Sequence, residues 1–393
     1  MSGIDHWLLP EGVGEMLPDE AWRLEALRRR LLDVYRSWGY GLIIPPMIEY
    51  LESLLTGAGH DLDLQTFKLT DQLTGRLLGV RADMTPQAAR IDAHALKRDE
   101  PVRLCYLGTV LHTLPDGFAG SRSPLQVGCE LFGHAGIESD LEILGLMLET
   151  LAVTGLEVHL DLGHVGIFRA LARGAGLTAG QEADLFDVLQ RKALPEIESL
   201  LASFGAAPEW RARLERLAGL HGGAEVLEQA RAALGGAGAA VDAALDNLAA
   251  IAAQVQARWP QLPLHFDLAE LRGYGYHTGI VFAAFTPGCG QEIARGGRYD
   301  NIGAVFGRAR PATGFSADLR TLMALSPGAG EASRGAVFAP ASDDSSLDAA
   351  VAGLRAAGER VIAALPGQTG GAREMGCDRE LVEQDGGWVI KSV

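Results

Sequence analysis

Asp83, Thr85, Gln126 and Glu130 bring two carboxylates, a hydroxyl and a carboxamide, a set of groups that can hold an ammonium ion. A buried cation needs such partners, because unpaired charge away from water is costly. Each residue also has a plain structural use: Asp83 can cap a helix beginning at Pro86-Gln87, and Glu130 can sit in a surface pair. A second run, Glu270-Leu271-Arg272-Gly273-Tyr274-Gly275-Tyr276-His277-Thr278-Gly279, sets a guanidinium among glycines and rings. Taken alone, a Gly/Tyr-rich run is an ordinary twisted sheet edge. A third, Arg103 to Gly133, holds His112 followed by Thr113-Leu114-Pro115-Asp116-Gly117-Phe118, a turn that offers no cation to a triphosphate before Arg122.

The elements that must position these groups are read from periodicity. Leu24, Leu27, Leu31, Val34, Tyr35 and Trp38 recur at helical spacing and predict an amphipathic helix ended near Gly39. A strand-like Leu42-Ile43-Ile44 then meets Pro45-Pro46, which by itself reads as the end of an edge strand. Short strands are expected up to Val80 and Arg81, over Leu104 to Val110 and over Leu125 to Phe132, followed by a helix from about Ser139 to Val153. Leu156, Val158 and Leu160 alternate with Glu157, His159 and Asp161, the period of a half-buried strand. Strands and helices mix without regular βαβ alternation, which favours an antiparallel-centred α+β architecture. From about 177 to 259 the chain is rich in Ala and Leu and reads as a helical insertion. Residues 326–335, with Ser326-Pro327-Gly328, read as a linker between a domain over 1–325 and a small C-terminal α/β module over 336–393. In that module Ala336 to Ala339 reads as a strand, and Asp385-Gly386-Gly387 as a hairpin turn into Trp388-Val389-Ile390.

A chain of 393 residues that is 48% hydrophobic can bury a large core. No run approaches the roughly 18 apolar residues of a membrane span, and Met-Ser-Gly-Ile-Asp-His lacks a signal-peptide pattern, so a cytoplasmic protein with no membrane partner is expected. Cys105, Cys129, Cys289 and Cys377 form no CxxC and lie in strand-like runs, which points to buried thiols rather than a disulfide frame or a zinc site. Neither a metal nor a cofactor is expected. The formal charge of −16, with lysine only at 68, 97, 192 and 391, weighs against nucleic acid, whose binding is dominated by cation–phosphate contacts.

The run Arg103 to Gly133 resembles the ATP-binding strand-loop-strand of class II aminoacyl-tRNA synthetases, in particular histidyl-tRNA synthetase. The resemblance implies a class II synthetase-like catalytic domain, an antiparallel sheet flanked by helices. It puts His112 where the synthetases carry an arginine on the α-phosphate of ATP. An arginine fork grips phosphate with two charged bonds where imidazole offers one donor, and such a loss costs about 2–5 kcal/mol. Arg81-Ala82-Asp83-Met84-Thr85 resembles the segment that holds the amino group of histidine, with aspartate in place of glutamate. The run 270–279 resembles the histidine-specific motif, so that Arg272 would receive the ligand carboxylate while Tyr276 and His277 would contact its imidazole. Gly296-Gly297-Arg298-Tyr299-Asp300 resembles the turn that follows it. At the third signature, counted from Gly314-Phe315, Thr321 stands at the arginine position; Arg320 falls one residue early, about 100° round a helix, and Asp318 brings negative charge. His112, Arg122 and Thr321 thus mark a degenerate ATP site. Pro46 and Glu49 fit the synthetases' dimer-forming segment.

A retained amino-acid pocket, lost ATP arginines and a tail too short for an anticodon-binding domain are together similar to the ATP phosphoribosyltransferase regulatory subunit family. That resemblance implies a non-catalytic chain, a homodimer within a hetero-oligomer, that works with a short-form ATP phosphoribosyltransferase catalytic subunit in the first step of histidine biosynthesis and confers feedback by histidine, with no tRNA partner. Two alternatives stay open: an active or divergent histidyl-tRNA synthetase-like enzyme, and a stand-alone histidine-binding module.

Overall fold

The computed structural model describes residues 7–55, 60–115, 120–270, 275–327 and 335–393. The first helix, Pro18–Ser37, starts with Pro18 in its first turn beside Asp19 and Glu20, and buries Leu27, Leu31 and Tyr35. Fixed proline φ and acidic residues suit a helix start. It lies along the helix Ile137–Thr154, where Thr150 donates to the Tyr35 hydroxyl at 3.2 Å and Arg30 to the Val153 carbonyl at 3.0 Å.

Twelve strands follow in the unit Met1–Ala329: β1 (Gly41–Ile43), β2 (Ile48–Tyr50), β3 (Lys68–Thr70), β4 (Leu77–Val80), β5 (Val102–Thr109), β6 (Leu125–Phe132), β7 (His159–His164), β8 (His221–Gly222), β9 (Leu264–Asp267), β10 (Ile280–Phe285), β11 (Ala294–Arg298) and β12 (Ala312–Asp318). Nine form one sheet in the order β1-β5-β6-β12-β11-β10-β7-β9-β8, and β2-β4-β3 form a smaller one. In the large sheet β1/β5 and β7/β9 are parallel and the remaining pairs antiparallel. This is the class II synthetase-like α+β arrangement expected from the sequence. The core joins the helices Pro18–Ser37 and Ile137–Thr154 to the sheet through Leu31, Tyr35, Val127, Cys129, Leu146 and Phe315. Between Val165 and Arg258 six helices carry the chain, interrupted only by the two-residue β8.

Three local expectations need correction. Of residues 296–300, expected as a turn, Gly296 to Arg298 end strand β11 instead: Gly296 lets β12 approach, since a Cβ there would stand 2.2 Å from the Gly314 carbonyl oxygen. The strand expected from Leu156 begins at His159, after the helix has ended at Gly155 with φ +73°. Cys289 lies in a turn and is only partly buried, whereas Cys105 and Cys129 are buried in β5 and β6; all four thiols are free.

The second unit, Gly330–Val393, is a four-stranded sheet in the order β14 (Val361–Ala363), β13 (Ala336–Ala339), β15 (Cys377–Gln384), β16 (Gly387–Ser392). Asp344 caps its helix Ser345–Ala356, accepting from the Ser346 N–H at 2.8 Å. Val337, Leu347, Val351 and Leu381 fill its core. Asp385 and Gly386, both at positive φ (53° and 78°), make the two-residue turn whose twist suits a hairpin.

Candidate functional site

Gln126 and Glu130 are four residues apart on β6, so the two-residue strand period puts them on one face. The segment 81–85 crosses that face, anchored by Arg81, which donates from Nε to the Thr109 carbonyl at 2.9 Å and from a terminal nitrogen to that of Pro45 at 2.7 Å. Asp83 accepts from Gln126 Nε2 at 2.7 Å and from the Thr85 N–H at 3.0 Å, while Gln126 Oε1 accepts from the Met84 N–H at 2.9 Å. The helix Thr85–Arg90 starts one residue before the expected Pro86; its N-cap residue is Met84, and the Asp83 carboxylate takes the N–H of its first residue, Thr85.

Glu130 is the centre of the site. It is 1% exposed, so the surface-pair reading fails. Oε1 accepts from Thr85 Oγ1 and Tyr106 OH, each at 2.9 Å, and Oε2 accepts from Tyr299 OH. Burial pushes its pKa up to about 8, a rise that the three hydroxyl donors oppose without cancelling. Gly314, its partner across the ladder on β12, makes the room: a Cβ there would stand 1.7 Å from Oε2.

Tyr276 lies within the field of this carboxylate, and His277 packs against Tyr276. Their ring centroids are 4.2 Å apart, and Tyr276 meets Tyr299 edge to face at 6.1 Å. Burial raises the Tyr276 phenol, with the charge of Asp83 the next cause, which ties the ring to the acidic end of the site. His277 is 6% exposed and lies where a Cβ on Gly297 would come within 2.9 Å of its Nε2. The structure thus brings Asp83, Thr85, Gln126, Glu130, Tyr276 and His277 to one place; Arg272 lies outside the described residues. Sequence reasoning missed Tyr106 and Tyr299. Tyr106 lies opposite Gly128 on β6, and a Cβ on that glycine would stand 2.5 Å from its hydroxyl. A tyrosine facing a glycine across a ladder was the available signal.

His112, Arg122 and Thr321 are spent on the chain itself. His112 Nε2 is 2.9 Å from the Ala82 carbonyl oxygen. Arg122 donates to the carbonyls of His112 (3.1 Å) and Glu11 (3.2 Å), with its guanidinium 5.3 Å from the centre of the Phe67 ring. Thr321 donates to Asp318 at 2.7 Å, and Arg320 to the Gly14 carbonyl at 3.0 Å. Asp318 is a helix cap, its oxygens taken by Thr321 and by the N–H groups of Leu125 and Arg320. An open cleft of about 590 Å³ lined by Trp38, Arg103, Glu142 and Arg258 holds none of the candidate residues, so converging polar groups rather than volume define the site. Among the described residues no cluster of three metal-ligating side chains occurs, and no helix is long and apolar enough to cross a membrane.

Residues 12–322 match the family model described as histidyl-tRNA synthetase, and residues 334–391 match the one described as ATP phosphoribosyltransferase subunit HisZ C-terminal domain. The chain is 64% identical to the ATP phosphoribosyltransferase regulatory subunit of Thioalkalivibrio sulfidiphilus, over 97% of both chains. The chain belongs to the ATP phosphoribosyltransferase regulatory subunit family. The regulatory subunit of Alkalilimnicola ehrlichii is 59% identical over 99% of this chain and 98% of its own. Among solved structures, an ATP phosphoribosyltransferase regulatory subunit/histidyl-tRNA synthetase from Bacillus halodurans superposes with a TM-score of 0.81 at 28% identity, covering 94% of this chain and 96% of that one. Histidyl-tRNA synthetase from Nostoc sp. PCC 7120 shares the fold, with a TM-score of 0.78 at 19% identity over 98% and 97% of the two chains.

Proposed function

We propose that this regulatory-family chain is non-catalytic, assembles as a homodimer with a short-form ATP phosphoribosyltransferase catalytic subunit, and senses free histidine in the pocket around Glu130. The observation that carries the reading is a contrast within one sheet. Around β6 the groups suited to an amino acid are brought together, with Asp83, Thr85 and Gln126 hydrogen-bonded to one another or to the buried Glu130 as a set that can take an ammonium. Beside them the cations that would face a nucleotide, Arg122 and Arg320, point at backbone carbonyls, and His112 and Thr321 occupy the remaining places. A triphosphate would have to displace those bonds before gaining its own. Arg272 is the proposed partner of the histidine carboxylate.

The homodimer reading is supported by apolar side chains left at the surface on and beside β1, β2 and β4: Leu42, Ile44, Met47, Ile48 and Leu77 are between 41% and 85% exposed. Contiguous exposed apolar surface of this kind marks an interface. Histidine acts as an effector only if it binds the active and inhibited complexes with different affinity, typically by about 1–3 kcal/mol.

The test is phosphoribosyl-ATP formation by a short-form catalytic subunit from the same organism, with and without this chain. A rate that rises when the chain is added supports the reading; an unchanged rate with no complex by size-exclusion chromatography contradicts it, and histidine-dependent pyrophosphate exchange by the chain alone would favour a working synthetase.

A further inference from the structure

His112 sits behind the segment that carries the proposed ligand groups. Its Nε2 faces the Ala82 carbonyl oxygen at 2.9 Å, and because a carbonyl only accepts, the imidazole carries its proton on that nitrogen. Ala82 is 4% exposed and directly precedes Asp83; two residues further on Thr85 reaches Glu130. The Leu111 N–H adds a bond to the Arg81 carbonyl at 3.1 Å. His112 is itself gripped: its backbone N–H donates to the Arg122 carbonyl at 2.9 Å, and the Arg122 Nε donates to the His112 carbonyl at 3.1 Å. Arg122 continues to the N-terminal segment, donating from its backbone N–H to the Gly12 carbonyl at 2.7 Å and from its guanidinium to that of Glu11 at 3.2 Å. Gly12 has φ +73°, and a Cβ there would stand 2.9 Å from Arg122 Cγ, so this approach needs glycine.

We infer that His112 is a positioning residue for the effector pocket, and that Arg122 clamps it there, joining the pocket to the N-terminal segment around Gly12. The inference deepens the histidine-sensing reading and rests on it. Beyond Arg81, whose backbone bonds to Met47 and Leu111, residues 82–84 have no ladder of their own before the helix Thr85–Arg90, and side-chain bonds from His112 to Ala82 and from Gln126 to Met84 hold the backbone from which Asp83 and Thr85 project. Removing the His112 donor leaves the Ala82 carbonyl buried and unsatisfied and the segment free to shift. Groups in the place of a phosphate grip would then have a second use, holding the amino-acid side of the same site.

Two substitutions in the full chain separate the hydrogen bond from packing. Glutamine places an amide nitrogen near the position of imidazole Nε2 and donates the same bond; leucine fills the space and donates nothing. Calorimetric titration with histidine is expected to show His112→Leu binding about tenfold more weakly than wild type, with His112→Gln restored to within about threefold. Hydrogen exchange in the ligand-free proteins is expected to quicken over residues 82–87 in His112→Leu and to return toward wild type in His112→Gln. Leucine indistinguishable from wild type in both measurements, or glutamine as defective as leucine, overturns the inference. If wild type does not bind histidine, the failure belongs to the pocket reading, and the exchange comparison alone then decides whether His112 positions the segment.

Discussion

Tyr299, beside the end of β11, donates its hydroxyl to Oε2 of Glu130 on β6, so the two strands flanking β12 are tied across it by a buried phenol–carboxylate bond. Tyr299 is 2% exposed and meets Phe132 edge to face at 6.3 Å. Tyr299→Phe keeps the ring and removes the donor. Because an intramolecular hydrogen bond contributes about 0.5–1.5 kcal/mol, the variant is expected to lose stability of that order in denaturant unfolding and to bind histidine more weakly. Unchanged values of both would mean that the bond does not hold the carboxylate in place.

Glu130 should leave a signature in stability against pH. Its folded pKa of about 8 lies above the ordinary value of 4.5. The folded state therefore keeps a proton that the unfolded state releases, and this group subtracts stability as pH rises from about 4.5 to about 8, with no further loss above. Glu130→Gln cannot titrate, so its melting temperature is expected to fall less than that of wild type between pH 5 and pH 8. Parallel profiles would place the wild-type proton elsewhere.

Gly314 and Gly353 make an opposed pair. A Cβ on Gly314 would overlap Glu130 Oε2 and approach the Cys129 carbonyl at 2.8 Å, whereas Gly353 lies inside the helix Ser345–Ala356 with nothing within 4 Å. Gly314→Ala is expected to destabilise by about 1–3 kcal/mol through overpacking and to weaken histidine binding, while Gly353→Ala stabilises by about 0.5–1 kcal/mol. Chemical denaturation of the two variants checks the contrast.

Restoring one arginine should not restore synthetase chemistry. Thr321 remains tied to Asp318, and Arg122 and Arg320 remain on the carbonyls of Glu11 and Gly14. His112→Arg is expected to show no histidine-dependent pyrophosphate exchange; exchange above background would mean that a single cation was the barrier.

What could be read from the sequence follows from where the information sits. The paired strands β5 and β6 and the hairpin at Asp385-Gly386 are local patterns, so their alternation and turn residues announce them. Asp83, Thr85, Gln126 and Glu130 carry chemistry in their residue types, and the family resemblance adds their grouping. The tyrosine clasp was not read from the sequence: Tyr106 and Tyr299 stand 193 positions apart, in segments named only for a strand and a turn, and both become donors to Glu130 through tertiary contact. The run 296–300 read as a turn through its resemblance to the family's motif, yet Gly296 and Gly297 serve close approach within a central strand. The family resemblance singled out His112 and Thr321, but their bonds to Ala82 and Asp318 could not be read, since those partners are set by tertiary contact.

The most direct test of the account is histidine inhibition of the assembled complex, comparing wild type with Glu130→Gln, which keeps the side chain's shape and replaces the carboxyl with an amide that cannot ionise. The account predicts that both chains raise phosphoribosyl-ATP formation by the short-form catalytic subunit, and that only the wild-type complex is inhibited by low histidine, the variant needing at least about tenfold more. Equal inhibition of the two complexes would contradict it, because histidine would then act at a site other than the pocket around Glu130.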